Sequence, residues 1–123
     1  RLTPMLHGSY MMLAQSSAPR WRRATSRRLA RGKEDPARLG ERQGHAAVAR
    51  PPGRVLWSHA LSVGEALALL SLFEALRERH DDLHIVLTTN TRTSAETLAR
   101  TGLPEGDNHQ YLPADARGPA ERF

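Results

Sequence analysis

Arg54-Val55-Leu56-Trp57-Ser58-His59-Ala60-Leu61-Ser62-Val63-Gly64-Glu65, with the residues that follow as far as His80, decides the fold. Val55 to Ser58 is rich in branched and aromatic side chains and reads as a short buried strand. Ser62-Val63-Gly64-Glu65 fits the S-x-x-E capping box: the serine hydroxyl accepts from the amide three residues on, and the glutamate reaches back to the Ser62 amide. Leu67, Leu70, Leu72, Phe73 and Leu76 then lay an apolar stripe down a helix that ends in Arg77-Glu78-Arg79-His80. Strand, tight turn and helix N-terminus together make a place for a ligand, because ligands of open α/β sheets collect at the carboxyl ends of the strands.

The pattern repeats downstream. Leu83-His84-Ile85-Val86-Leu87-Thr88-Thr89 is a nearly continuous apolar run, as expected of a parallel strand covered on both faces. Thr93-Ser94-Ala95-Glu96 is a second capping box opening a helix through Leu98, with Gly102 and Pro104 to end it. His109 to Pro113 reads as a third short strand. Strand, helix, strand, helix, strand is a right-handed βαβαβ run, which predicts an α/β fold with a parallel, Rossmann-like sheet. Neither G-x-G-x-x-G nor G-x-x-x-x-G-K-(S/T) occurs, so a dinucleotide or Walker-type phosphate site is unsupported.

Charge divides the chain. Seven of its 18 basic residues (Arg20, Arg22, Arg23, Arg27, Arg28, Arg31 and Lys33) fall in residues 20–33, which hold no acid. One more is Arg1, which leaves ten basic against all 13 acidic residues from residue 34 on, a net of −3. The overall +5 therefore belongs to an N-terminal segment. A nucleic-acid-binding module carries its basic patch on the folded part, so nucleic acid is not the expected partner. Residues 20–33 read as a basic helix beside Trp21 and Leu29, suited to an anionic membrane surface; a solvated arm is the alternative. No run of 18 apolar residues exists, and Met5 to Leu13 is too short and too interrupted to span a bilayer. With no cysteine, disulfides and thiolate metal sites are excluded. His7, His45, His59, His80, His84 and His109 show no metal-ligand spacing, so neither metal nor cofactor is expected.

Trp57-Ser58-His59-Ala60-Leu61-Ser62-Val63-Gly64-Glu65 resembles the W-x-H-(A/G)-x-S-x-G-E signature of the transferases of 3-deoxy-D-manno-oct-2-ulosonic acid (Kdo). Residues 31–44 are similar to that family's R-L-G-(E/x)-R-x-G stretch, through Arg38, Leu39 and Gly40. Thr88, Thr89, Thr91, Thr93 and Ser94 fit its T-T-x-T-x-T-(G/S), with Asn90 a departure. Tyr111, Pro113, Asp115, Arg122 and Phe123 resemble its Y-x-P-x-D…R-F continuation.

The resemblance implies the N-terminal half of a GT-B glycosyltransferase. Residues 1–33 would be a basic, membrane-proximal segment, and residues 34–123 an incomplete acceptor-binding domain. The half that binds the donor CMP-Kdo is not among these residues, so the fragment by itself is expected to be inactive. The implied reaction is inverting transfer of Kdo to the lipid A precursor at the cytoplasmic face of the inner membrane. Glu65 would be the general base, with Arg38, Gly40, Ser62 and Gly64 at the acceptor. A carboxylate within reach of the acceptor hydroxyl takes its proton as the new bond forms. An arginine suits a phosphate, and a glycine admits close backbone approach. The hydroxyl-rich stretch from Thr88 to Ser94 suits hydrogen bonds to a sugar or phosphate, with helix capping alone the preferred reading for Thr93 and Glu96. Two other readings stay open: Glu65 as a cap alone, and the chain as a non-catalytic membrane- or acceptor-binding fragment.

Overall fold

The computed structural model describes Ser9, Met12, Leu13 and residues 18–123. The readings made for most of residues 1–17 lie outside the described residues. The chain divides into two compact units, Arg1–His45 with Pro113–Phe123, and Ala46–Leu112.

The second unit holds the sheet. Its elements are β1 (Arg54–Ala60), α3 (Val63–Arg77), β2 (Leu83–Thr89), α4 (Arg92–Thr101) and β3 (Asn108–Tyr111). The three strands are parallel in the order β1-β2-β3, with Arg54 opposite Leu83, Ala60 opposite Thr89, and Thr89 opposite Tyr111. The α/β class with a parallel sheet is thus as the sequence predicts. Alternation of side chains sorts each strand into two faces. Leu56 and Ala60 of β1 and Ile85 and Leu87 of β2 join Ala66 and Phe73 of α3 and Leu98 of α4 in one core. The opposite face carries Trp57, His59, Thr88 and Gln110.

Two local expectations change. β1 is not a buried strand: only Ala60 is buried, and Trp57 is 55% exposed. The strand is an outer one in the described sheet, so one rim and much of one face go uncovered within its unit. The stripe of α3 also differs. Ala66 and Phe73 are buried, with Leu69 and Leu70 packed against the core, while Leu67 and Leu72 face outward. Leucine occurs nearly all round this helix, so composition does not orient it. The buried face follows the spacing 66, 69, 70, 73 instead.

α4 starts two residues earlier than the second capping box predicts. Thr91 is the N-cap, its hydroxyl accepting from the Ser94 amide at 3.2 Å. Glu96 accepts instead from Arg92 Nε at 2.8 Å, one helical turn back. Thr93 is exposed within the helix. Gly102, at φ +82°, closes α4 as expected. Asp107 fastens the turn before β3 from within: its side chain is buried, pairs with Arg77 and accepts from the Ile85 amide at 3.0 Å.

The first unit contains α1 (Ala18–Ala30), a 3-10 turn (Pro36–Arg38), α2 (Leu39–Arg42) and α5 (Arg117–Arg122). α1 is the expected basic helix. Behind it, buried Glu34 receives Arg28 Nε at 2.5 Å and Arg42 Nε at 3.2 Å. Asp35 caps the 3-10 turn through the Ala37 amide at 2.9 Å. α5 is tied to the α2 loop by Arg122 Nε donating to the Gln43 carbonyl at 2.8 Å, and the Ala114 amide donates to the Arg42 carbonyl at 2.8 Å. No helix of the described residues is long and apolar enough to cross a membrane.

Candidate functional site

The corner between β1 and α3 displays Glu65 at a helix N-terminus. Ser62 is extended, at φ −133° and ψ 164°, and its hydroxyl accepts from the Glu65 amide at 3.2 Å. That half of the capping box forms as expected. The other half does not: Glu65 Oε2 accepts from the Leu61 amide at 2.7 Å, one residue short of Ser62. The amide of Leu61 is available because β1 ends at Ala60. Among the described residues Oε1 of Glu65 has no partner, and the whole residue is exposed.

Gly64 is exposed, and a Cβ built there meets nothing within 4 Å. Its backbone does not require glycine. What the missing side chain leaves is open space at the first turn, beside Glu65.

A polar row runs across the sheet next to this corner. His59, Thr88 and Gln110 stand opposite one another on β1, β2 and β3. Thr88 Oγ1 lies 2.9 Å from His59 Nδ1, receives the Trp57 indole N–H at 3.0 Å and donates to the Ser58 carbonyl at 3.3 Å. A hydroxyl has one proton to give, so with that proton on Ser58 both rings act as donors to Thr88. His59 Nε2 and Gln110 Nε2 are buried without a partner among the described residues. Thr89 is also buried, with its hydroxyl 2.9 Å from His109 Nε2. The expectation that Thr88 and Thr89 offer hydroxyls to a sugar therefore does not hold. Both are spent inside the sheet, where a buried hydroxyl left unpaired is costly.

Arg38 and Gly40 lie in the other unit, and Ser62, Gly64 and Glu65 in the sheet unit. Arg38 grips Glu41 with a two-pronged ion pair, Nε to Oε1 and Nη2 to Oε2, each 2.9 Å. Glu41 is buried and Arg38 partly so, which makes this neither a bare surface arginine nor an uncommitted phosphate clamp. Gly40 gives its carbonyl to the amides of Gln43 and His45 at 2.9 Å. A Cβ there would make only ordinary contacts, 3.8 Å from His45. Sequence reasoning missed Glu41 as the partner of Arg38, although i, i+3 spacing of opposite charges was there to read. It also missed the Leu61 amide, which carries no side-chain signal. Among the described residues no group of three or more His, Asp or Glu is arranged to hold a metal ion.

The family model described as 3-Deoxy-D-manno-octulosonic-acid transferase (kdotransferase) matches residues 37–123. The chain belongs to this family. Its curated relatives include a probable 3-deoxy-D-manno-octulosonic acid transferase, mitochondrial, of Arabidopsis thaliana, 38% identical over 104 residues, or 85% of this chain and 22% of the relative. The 3-deoxy-D-manno-octulosonic acid transferase of Bordetella pertussis is 36% identical over 129 aligned residues, covering 97% of this chain and 29% of the relative. That of Haemophilus influenzae is 37% identical over 89 residues, covering 70% and 20%. The chain thus spans between a fifth and a third of the length of these Kdo transferases. No solved structure matches it significantly. Both the β1–α3 corner and the Arg38–Glu41 pair fall inside the matched residues of the Kdo transferase family.

Proposed function

We propose that this chain supplies the acceptor-binding, N-terminal part of a GT-B glycosyltransferase, which moves Kdo from CMP-Kdo to the lipid A precursor with inversion. Glu65 is the general base. It takes the proton from an acceptor hydroxyl as that oxygen bonds to the anomeric carbon of Kdo. The bond from that carbon to the phosphate oxygen breaks, and CMP leaves with the electron pair. CMP-Kdo is held by a half of the enzyme outside these residues.

The observation that carries this reading is the Glu65 carboxylate itself. One oxygen is fixed by the Leu61 amide at 2.7 Å, while the other, on an exposed residue, has no partner among the described residues. A base needs both properties: an orientation set by the fold, and a lone pair left for the substrate. A glutamate serving only as a cap gains nothing from the second. The open space at Gly64 gives the acceptor room to approach. Ser62 sets the turn and Arg38 and Gly40 contribute to the acceptor surface, with Arg38 held in place by Glu41.

Peripheral attachment to the cytoplasmic face of the inner membrane fits α1. Arg20, Arg22, Arg23 and Arg27 on that helix form no ion pair among the described residues. Each contributes about 1 kcal/mol near an anionic leaflet.

The test is Glu65→Gln in a complete transferase that carries this segment, assayed for Kdo transfer from CMP-Kdo to the lipid A precursor. The amide oxygen keeps the bond to Leu61 while the basic lone pair is lost. A fall in kcat of about 10²-fold or more is expected for loss of a general base. Turnover at the normal rate would remove Glu65 from the reaction.

A further inference from the structure

We draw no further inference here: the strongest candidate, the outward face of α3, where Leu67 and Leu72 stand exposed among Ala68, Ser71 and Ala75, carries nothing because nothing in the structure shows what covers it.

Discussion

The Leu61 amide and the Glu65 carboxylate face each other at 2.7 Å across the corner where β1 becomes α3. Four residues link strand end, N-cap and candidate base into one turn. Capping and catalysis are therefore separable by substitution. Ser62→Ala removes the acceptor for the Glu65 amide and is expected to cost about 1 kcal/mol of stability. Glu65→Gln retains an acceptor for Leu61 and forfeits only the charge at the helix N-terminus, about 0.3–1 kcal/mol. Urea unfolding of the two variants measures both. If Glu65→Gln proved the more damaging to stability, the loss of transfer could not be assigned to chemistry.

Thr88 is the one hydroxyl serving Trp57, His59 and the Ser58 carbonyl. Thr88→Val keeps the shape and removes the hydroxyl that the Trp57 and His59 rings and the Ser58 carbonyl share. A loss of about 1–3 kcal/mol is expected, the range for buried polar groups left unpaired. Thr88→Ser restores most of it. Chemical denaturation of the pair checks the expectation, and a Val variant as stable as the native chain would show that the row contributes nothing.

The start of α4 gives a sharper contrast. Thr91 is the N-cap, whereas Glu96 only pairs with Arg92 one turn away on the surface. Thr91→Ala is expected to cost about 1 kcal/mol. Glu96→Gln costs about 0.3–0.5 kcal/mol, and less in high salt. Thermal melts at two salt concentrations separate them. The reverse order would restore the Thr93–Glu96 capping box.

Gly44 and Gly32 both have positive φ, +81° and +67°, but different surroundings. A Cβ on Gly44 would come 2.2 Å from the Pro119 carbonyl oxygen, whereas one on Gly32 meets nothing within 4 Å. Gly32→Ala should cost the left-handed penalty alone, about 1–2 kcal/mol. Gly44→Ala adds a backbone clash and is expected to loosen α5, read as faster amide exchange at Ala120 and Phe123, which bond within that helix. Equal exchange in the two variants would count against that close approach.

The parallel sheet, its order of elements and the β1–α3 corner were legible because their signals are local. The largely apolar stretch from Leu83 to Thr89 has few ways to be buried other than as a strand covered on both faces. A Ser three residues before a Glu, after a strand, has one good use for its hydroxyl. The second capping box misled because Thr91 and Thr93 are equally good caps by type. The end of β2 at Thr89 leaves Thr91, not Thr93, at the point where the chain turns.

Sequence by itself determined the α/β class, a basic helix expected over residues 20–33 that forms as Ala18–Ala30, and the place of Glu65 at a helix N-terminus, since each follows from periodicity, charge or spacing within a few residues. Only the tertiary structure decided where polar atoms spend their bonds. It turned Thr88 and Thr89 from offered hydroxyls into buried struts, gave Arg38 to Glu41, sent Glu65 to Leu61, and left Trp21 Nε1 without an acceptor. The physical reason is that a hydrogen bond depends on which groups converge and which are shut from water, and that convergence across strands and turns is set by register and packing rather than by residue type.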